Sequence, residues 1–275
     1  MCLKNKIFND QTFILIILFI GSFFMILPLI WLLRSSFMKL KQIHLFPPEW
    51  VPNPFTFKNY PGVFESVDFL GYFFNTLIIV IPSVIGTLIS ASMAGFAFAR
   101  LRHPYSNLIF AALMTTLMIP YVVTLIPTFL IWVKMGLVDT FLPLILPKFF
   151  APIFFVFLMR QFFLTIPREL DEAAVIDGAN PLQILWHVMI PLSKPALITV
   201  AIFSGLHEWN DFLGPLIYLE GEEMYTLAIG LAQFVGELDV QWGFLFAATI
   251  MMVIPVIIVF FIAQKHFIEG IASTG

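Results

Sequence analysis

The stretch FILIILFIGSFFMILPLIWLL, Phe13–Leu33, carries no charged side chain. Coiled as a helix it is long enough to cross a hydrocarbon core of about 30 Å, and a helix satisfies its own backbone hydrogen bonds in that solvent. A strand of a membrane barrel would alternate polar and apolar residues. Phe13-Ile14-Leu15-Ile16-Ile17-Leu18-Phe19-Ile20 does not alternate. Lys4 and Lys6 precede the stretch, as in a secretory signal peptide, but the apolar run is too long for an h-region. Arg34-Ser35-Ser36-Phe37 also lacks the small-x-small cleavage pattern, so the segment reads as an uncleaved span.

Five further stretches follow. Gly71–Ala99, Asn107–Val133 and Trp242–Ala263 are uncharged, Phe141–Met159 carries only Lys148, and Ala196–Leu219 carries His207, Glu208 and Asp211. The expected fold is therefore all-α, a polytopic integral membrane protein with six transmembrane helices. Composition agrees. Of 275 residues 60 % are apolar and 11 % charged, where a soluble domain runs nearer half and about a quarter. The mean hydropathy is +0.97. These values exclude an ordinary soluble enzyme and a disordered chain. The single Cys2 excludes a disulfide framework and a cysteine metal cluster. A net charge of -3 gives no reason to expect nucleic acid.

The sequence divides into an N-terminal helix with an external Pro/aromatic-rich segment (1–70), a five-helix core (71–264) and a tail (265–275). Pro28, Pro82, Pro120, Pro127, Pro143, Pro147, Pro152 and Pro255 fall inside the apolar stretches, where each removes a helix donor. With both termini on the cytoplasmic side, the inner segments hold Lys4, Lys6, Arg100, Arg102, Arg160, Arg168, Lys194 and Lys265. The outer segments then hold Arg34, Lys39, Lys41, Lys58 and Lys134, a bias that favours this orientation. Glu220–Gln241, without Lys or Arg, supports it; the cluster Arg34, Lys39, Lys41 argues against it.

Between spans four and five lies the inner segment 160–195. Pro167 sets up a first helical turn, and Glu169, Asp171 and Glu172 crowd it, where the helix dipole favours negative charge. Gly178 permits a left-handed residue that ends the helix. Leu182–Met189 then forms a second short helix closed by Pro191. A hairpin lying on the membrane surface should be basic and aromatic. This one is acidic, with Ala173 and Ala174 as a small-residue face, which suits a protein partner.

Glu172-Ala173-Ala174, then Asp177-Gly178-Ala179, then Ile190-Pro191 resembles the EAA loop of importer-type ABC permeases. His207-Glu208-Trp209-Asn210-Asp211-Phe212-Leu213-Gly214-Pro215-Leu216 is similar to the fifth-helix pattern of maltose-type subunits of sugar importers. So are Phe46-Pro47-Pro48 with Thr56-Phe57-Lys58-Asn59-Tyr60, and Gln264-Lys265-His266-Phe267-Ile268-Glu269-Gly270. The resemblance implies a bacterial or archaeal cytoplasmic-membrane permease that pairs with a second homologous permease and two copies of a cytoplasmic ABC ATPase. An extracytoplasmic solute-binding protein delivers a sugar, and the pathway works by alternating access. Glu169, Glu172, Ala173, Ala174, Asp177, Gly178, Ala179 and Pro191 would form the coupling element. Glu172 would meet a basic residue of the ATPase, and the two alanines would allow close approach. ATP and Mg would act on the partner, because this chain has no Gly-x-x-x-x-Gly-Lys-Ser/Thr loop to cradle phosphates and binds no cofactor itself. The chain departs from the family at Lys148, where an uncharged residue is expected, and in its slightly shorter tail.

Intramembrane charges mark function by default. Glu208 and Asp211, three apart, lie near one helix face and offer partners for Lys148; alternatively Lys148 snorkels outward. Trp209 and Asn210 suit either a sugar path or a subunit interface. The acidic outer loop with Glu222, Glu223, Gly236 and Glu237 suits contact with the binding protein or plain solvation. No metal site is expected. His207 and Glu208 are adjacent and should point in different directions, and the other histidines are scattered. Two other classes compete: a self-contained secondary transporter, which needs a charged midplane site, and an intramembrane enzyme, which needs a nucleophile and base at one depth. Within the family, a glycerol phosphate is the alternative cargo.

Overall fold

The long apolar stretches coil into helices, which run through Pro28, Pro82, Pro127 and Pro255 without ending. The computed structural model describes residues 2–236 and 239–272, with side chains over 12–236 and 239–264. The helices in chain order are α1 Cys2–Ser36, α2 Leu40–Ile43, α3 Asn59–Ser66, α4 Phe69–Arg100, α5 Ser106–Thr115, α6 Tyr121–Met135, α7 Leu142–Ile145 and α8 Ile153–Thr165. Then come α9 Glu169–Ile176, α10 Pro181–Ile184, α11 Ile190–Leu192, α12 Lys194–Trp209, α13 Leu213–Tyr218, α14 Leu227–Gln233 and α15 Trp242–Ala272. Among the described residues the only extended pairing is an isolated bridge, Val235 with Val240. The all-α membrane fold is as expected.

Among the described residues four stretches are long and apolar enough to span a membrane: Thr12–Ser36, Phe69–Arg100, Leu142–Thr165 and Trp242–Gln264. Two bent pairs complete a possible six: Ser106–Met118 with Tyr121–Met135, at 98°, and Pro181–Leu192 with Lys194–Trp209, at 83°. Three of the expected spans are therefore not straight. The third breaks at Ile119, which is extended because Pro120 follows it. The fourth comprises α7, a 3₁₀ turn over Leu146–Phe149 and α8, with Ala151 between them in the left-handed region at φ 54°. The fifth ends at Trp209 rather than Leu219, and after a turn the chain re-enters helix as α13. Pro191 does not close the second inner helix either. α10 continues through a π turn, Leu185–Met189, into α11, and the bend falls at Ser193. Proline has no N–H and its ring crowds the carbonyl four residues back. The π turn instead carries the Ile190 N–H to the Leu185 carbonyl.

The chain forms two compact units, Met1–Val67 with Leu231–Pro255, and Asp68–Gly230 with Val256–Gly275. In the first, the Pro/aromatic-rich segment is tied down by specific contacts. Asn59 Nδ2 donates to the carbonyls of Ser36 (2.7 Å) and Met38 (2.9 Å). The Phe37 ring stacks on Phe55 at 4.6 Å. The Arg34 guanidinium lies 3.9 Å above the Trp31 ring and donates to the Glu49 carbonyl.

The second unit is organised by α4, which packs along both α8 and α12. Ile79, Ser83, Thr87, Ala91, Gly95 and Ala99 recur every four residues and are all buried. Residues spaced by four line one face of a helix, so this row is a strip of mostly small side chains that lets neighbouring backbones come close. At Gly95 an added Cβ would sit 2.8 Å from Met159 Cβ and 3.0 Å from the Arg160 nitrogen. Around it Phe96, Val156, Phe163, Leu185, Met189 and Val200 form the core.

Gly95→Val should force α4 and α8 apart. Overpacking of this kind costs about 1–3 kcal/mol, so the midpoint of thermal unfolding in detergent should fall by several degrees, whereas Phe74→Leu on the exposed face of α4 should leave it unchanged.

Candidate functional site

The acidic hairpin of segment 160–195 forms as expected. α9 begins at Glu169 after Pro167, with Glu169, Asp171 and Glu172 in its first turn. It ends through Asp177 into Gly178 at φ +83°. The Gly178 N–H donates to the Val175 carbonyl (3.0 Å) and the Ala179 N–H to the Ala174 carbonyl (2.9 Å). This is a Schellman closure, which uses up carbonyls the helix end would leave bare. Asn180 then caps α10: its Oδ1 accepts from the Gln183 N–H (3.0 Å), and Gln183 Oε1 accepts from the Asn180 N–H (2.8 Å).

The hairpin does not expose the two alanines alike. Ala174 and Ala179 pack against the core beneath, while Glu169, Glu172, Ala173, Asp177 and Gly178 are exposed. Glu169, Glu172, Ala173 and Ile176 follow the 0, +3, +4, +7 spacing of one helix face, and Ile176 is 86 % exposed. The pairing of Ala173 with Ala174 as one contact face is thus corrected, since consecutive residues point about 100° apart on a helix. Ile176 was not singled out from sequence, although the same spacing identifies it. Pro191 lies in α11, away from this face in the chain and within a helix rather than at its end.

The hairpin is fastened to α4 by the last residue of that helix. Arg100 Nε lies 3.0 Å from Asp171 Oδ2, and Arg100 Nη2 donates to the Ile166 carbonyl at 2.6 Å. The Arg100 side chain is only 5 % exposed. Burial pushes the Asp171 carboxyl above its ordinary value, and Arg100 pulls against that shift.

The second group of polar residues lines an open cavity of about 450 Å³ with Tyr121, Thr128 and Tyr218. Lys148 Nζ lies 2.6 Å from Glu208 Oε1, and His207 Nδ1 lies 3.1 Å from the same oxygen. Of the two partners considered for Lys148, the geometry brings Glu208; the lysine does not snorkel away. The 3₁₀ turn bearing Lys148 is held by Ser90 Oγ, which donates to the Lys148 carbonyl at 3.0 Å. His207 and Glu208 do not point apart as expected. Both sit in the last turn of α12, where the longer Glu208 side chain reaches round to the ring. Asp211 has left the helix, and its Oδ1 accepts from the Gly214 N–H at 3.1 Å. Trp209 is buried, edge-on to Phe73 at 5.9 Å. The Asn210 amide donates to the Leu206 carbonyl at 2.8 Å. Neither Trp209 nor Asn210 lines the cavity.

The acidic 220–241 loop is anchored by residues the sequence did not flag. Asp139 Oδ1 accepts from the N–H groups of Glu220 (2.9 Å) and Gly221 (3.2 Å). Asn75 Nδ2 donates to the Glu223 carbonyl (2.7 Å), and the Tyr72 hydroxyl to Glu222 Oε1 (3.2 Å). The Gly236 N–H donates to the Asp239 carbonyl at 3.1 Å, and Glu237 lies outside the described residues.

This architecture, with a capped acidic hairpin between two spans and a polar cavity within the bundle, is that of a transport component. Residues 86–273 match the family described as binding-protein-dependent transport system inner membrane component, and the chain belongs to that family. It is 36 % identical over 225 residues to an arabinooligosaccharide transport system permease protein of Halalkalibacterium halodurans, covering 82 % of this chain and 80 % of the relative. It is 31 % identical to an sn-glycerol-3-phosphate transport system permease protein of Brucella suis, covering 94 % of this chain and 95 % of the relative. Its fold is similar to a chain of a bacterial ABC transporter involved in import of the acidic polysaccharide alginate, with a TM-score of 0.81 and 27 % identity over 94 % of this chain and 98 % of that one. The protein is a multi-pass ABC-importer permease of the inner membrane, and the secondary-transporter and intramembrane-enzyme alternatives are set aside.

Removing the Lys148 charge leaves the Glu208 carboxylate, 5 % exposed, with His207 as its one remaining side-chain contact partner among the described residues. Breaking one side of a buried pair costs about 3 kcal/mol, whereas removing both charges is far milder. Lys148→Met should therefore lower thermal stability in detergent, and Lys148→Met/Glu208→Gln should recover most of the loss. Arg100→Leu should release α9, raising amide exchange across 167–178 at least tenfold while leaving α12 protected.

Proposed function

We propose that this chain forms half of the translocation pathway for a neutral di- or oligosaccharide and couples it to a separate ATPase through α9. A second homologous permease supplies the other half, two copies of a cytoplasmic ABC ATPase sit beneath, and a solute-binding protein docks on the opposite face. Both termini and α9 lie on the cytoplasmic side. Alternating access then follows ATP binding and hydrolysis on the partner, where ATP and Mg reside.

The observation that carries the coupling is the exposed stripe Glu169, Glu172, Ala173, Ile176 on a rigidly capped helix. Two carboxylates suit a basic groove, Ala173 lets another backbone approach, and Ile176 offers an apolar anchor of the kind that fills a pocket at interfaces. Ala174 and Ala179 transmit rather than touch: they rest on the core that surrounds α4 and α8. Gly178 and Asp177 hold the turn. Glu222, Glu223 and Gly236 belong to the segments available to the binding protein. A lipid bilayer surrounds the bundle, and nothing in the charge pattern suits nucleic acid.

The cargo reading rests on the cavity. Lys148 is matched by Glu208, and Asp211 adds a second carboxylate with no second lysine or arginine in the lining. A phosphate ester would meet net negative charge there, while hydroxyl-rich sugars find Tyr121, Thr128, Tyr218 and His207 as hydrogen-bonding groups. This favours a neutral sugar over a glycerol phosphate.

Affinity purification of the tagged chain from native membranes in mild detergent, with stoichiometry by mass spectrometry, should recover one homologous permease and two ATPase copies. Recovery of the chain alone or as a homo-oligomer would reject the reading. Ala173→Asp and Gly178→Val should lower uptake at least tenfold and lose the ATPase from the purified complex, with membrane insertion unchanged; normal uptake in both would count against α9 as the dock.

A further inference from the structure

A second pocket lies where α4 ends, α5 begins and α8 ends. It has a volume of about 460 Å³, and its lining includes Arg100, Arg102, His103, Arg160 and Arg168 but no acidic side chain. The four guanidiniums are not equivalent. Arg100 is spent on Asp171 and the Ile166 carbonyl. Arg160 is positioned but not neutralised: it lies 4.3 Å over the Phe110 ring, with Nη2 3.4 Å from Asn107 Oδ1. Arg102 and Arg168 are exposed and make no side-chain hydrogen bond or ion pair among the described residues. Asp171 and Glu172 line the adjoining pocket, which shares Arg100, Arg102 and Arg168 with this one, and Arg168 as well as Arg100 acts on the Asp171 carboxyl. Three guanidiniums without a contact ion pair among the described residues thus converge on one opening.

Its depth in the membrane is set by the chain. The apolar run of α4 ends at Arg100, so the pocket sits at the level where hydrocarbon gives way to headgroups. Immediately beside it the surface is apolar and open: Leu108 is 68 % exposed, and Ile109 on α5 and Leu164 on α8 are also exposed. A cationic recess bordered on its membrane side by exposed aliphatic side chains matches a ligand with a phosphate at one end and alkyl chains at the other. Guanidinium suits phosphate because its fork donates two parallel hydrogen bonds, and basic recesses between spanning helices are suited to anionic headgroups.

We propose that Arg102, Arg160 and Arg168 bind the phosphate of an anionic phospholipid headgroup, whose acyl chains lie along Leu108 and Ile109 of α5. The site is distinct from the sugar cavity and adjoins the N-terminal end of α9, where Arg168 is the N-cap. It depends neither on the cargo nor on which side of the membrane α9 faces.

The test is native mass spectrometry of the full chain, released from detergent after titration with phosphatidylglycerol, with phosphatidylcholine, or with inorganic phosphate. Phosphatidylglycerol should be retained at least fivefold more than phosphatidylcholine. Arg102→Gln/Arg168→Gln should abolish that preference, Arg102→Lys/Arg168→Lys should keep part of it, and Lys134→Gln should not alter it. The substituted residues are exposed, and an unchanged melting temperature will confirm that the fold is intact. Leu108→Asn should weaken phosphatidylglycerol without affecting inorganic phosphate. Equal retention in the double glutamine variant would overturn the site. Inorganic phosphate binding as tightly as the lipid, with Leu108→Asn silent, would overturn the lipid as its source.

Discussion

In hydrocarbon, every backbone donor and acceptor must find a partner within the chain, and unmet groups cost several kcal/mol each. The places where this protein stops being helical follow from that constraint. The breaks at Ile119–Pro120 and at Ala151–Pro152 fall at proline, and the one at Ser193 lies between Pro191 and Pro195; proline has no N–H to leave unmet. The break after Trp209 is covered by Asp211, whose carboxylate takes the Gly214 N–H. The bundle can therefore contain irregular backbone next to a polar cavity without exposing bare peptide groups to lipid.

Once the backbone is satisfied, the few charged side chains divide by neighbourhood. Lys148 and Glu208 neutralise each other at the wall of the cavity, with His207 against the same carboxylate oxygen. Arg100 and Asp171 lock the acidic hairpin to the end of α4. The carboxylates of Glu169 and Glu172 remain outward, on the face of α9 that no part of the described chain covers. Buried pairs fix geometry, and unburied charges are left for other molecules.

Much of this was legible in the order of residues. The continuous apolar runs gave α1, α4 and α15 because periodicity and length are local properties, and Gly178 gave the hairpin turn because positive φ is a local demand. The breaks in the third, fourth and fifth spans were not placed. Proline marks where a helix can fail, but whether it kinks or stops depends on what satisfies the freed carbonyls, and that is settled by distant groups. Arg100 with Asp171 and Asp139 with the Glu220–Gly221 amides pair residues about 70–80 positions apart, so no sequence window contains both. Ala173 and Ala174 looked like one surface because they are neighbours in the sequence; the helix turns them to different faces. His207 and Glu208 looked divergent for the same reason, and side-chain reach brought them together.

The strip of small residues on α4 carries a further consequence for how this chain can diverge. Between α4 and the helices packed on it, close approach is built from the α4 side, by Ser83, Thr87, Ala91, Gly95 and Ala99, while residues such as Met159 supply bulk. Bulky partners such as Met159 and Phe163 can be exchanged for others of similar volume, because flexible side chains repack. A residue that is small in order to admit a backbone has almost nothing to exchange for. Substitution should therefore accumulate unevenly across descendants of this chain, slowly along one ridge of one helix and freely over the lipid-facing phenylalanines around it. The ridge would outlast the cargo as the lineage's fixed template.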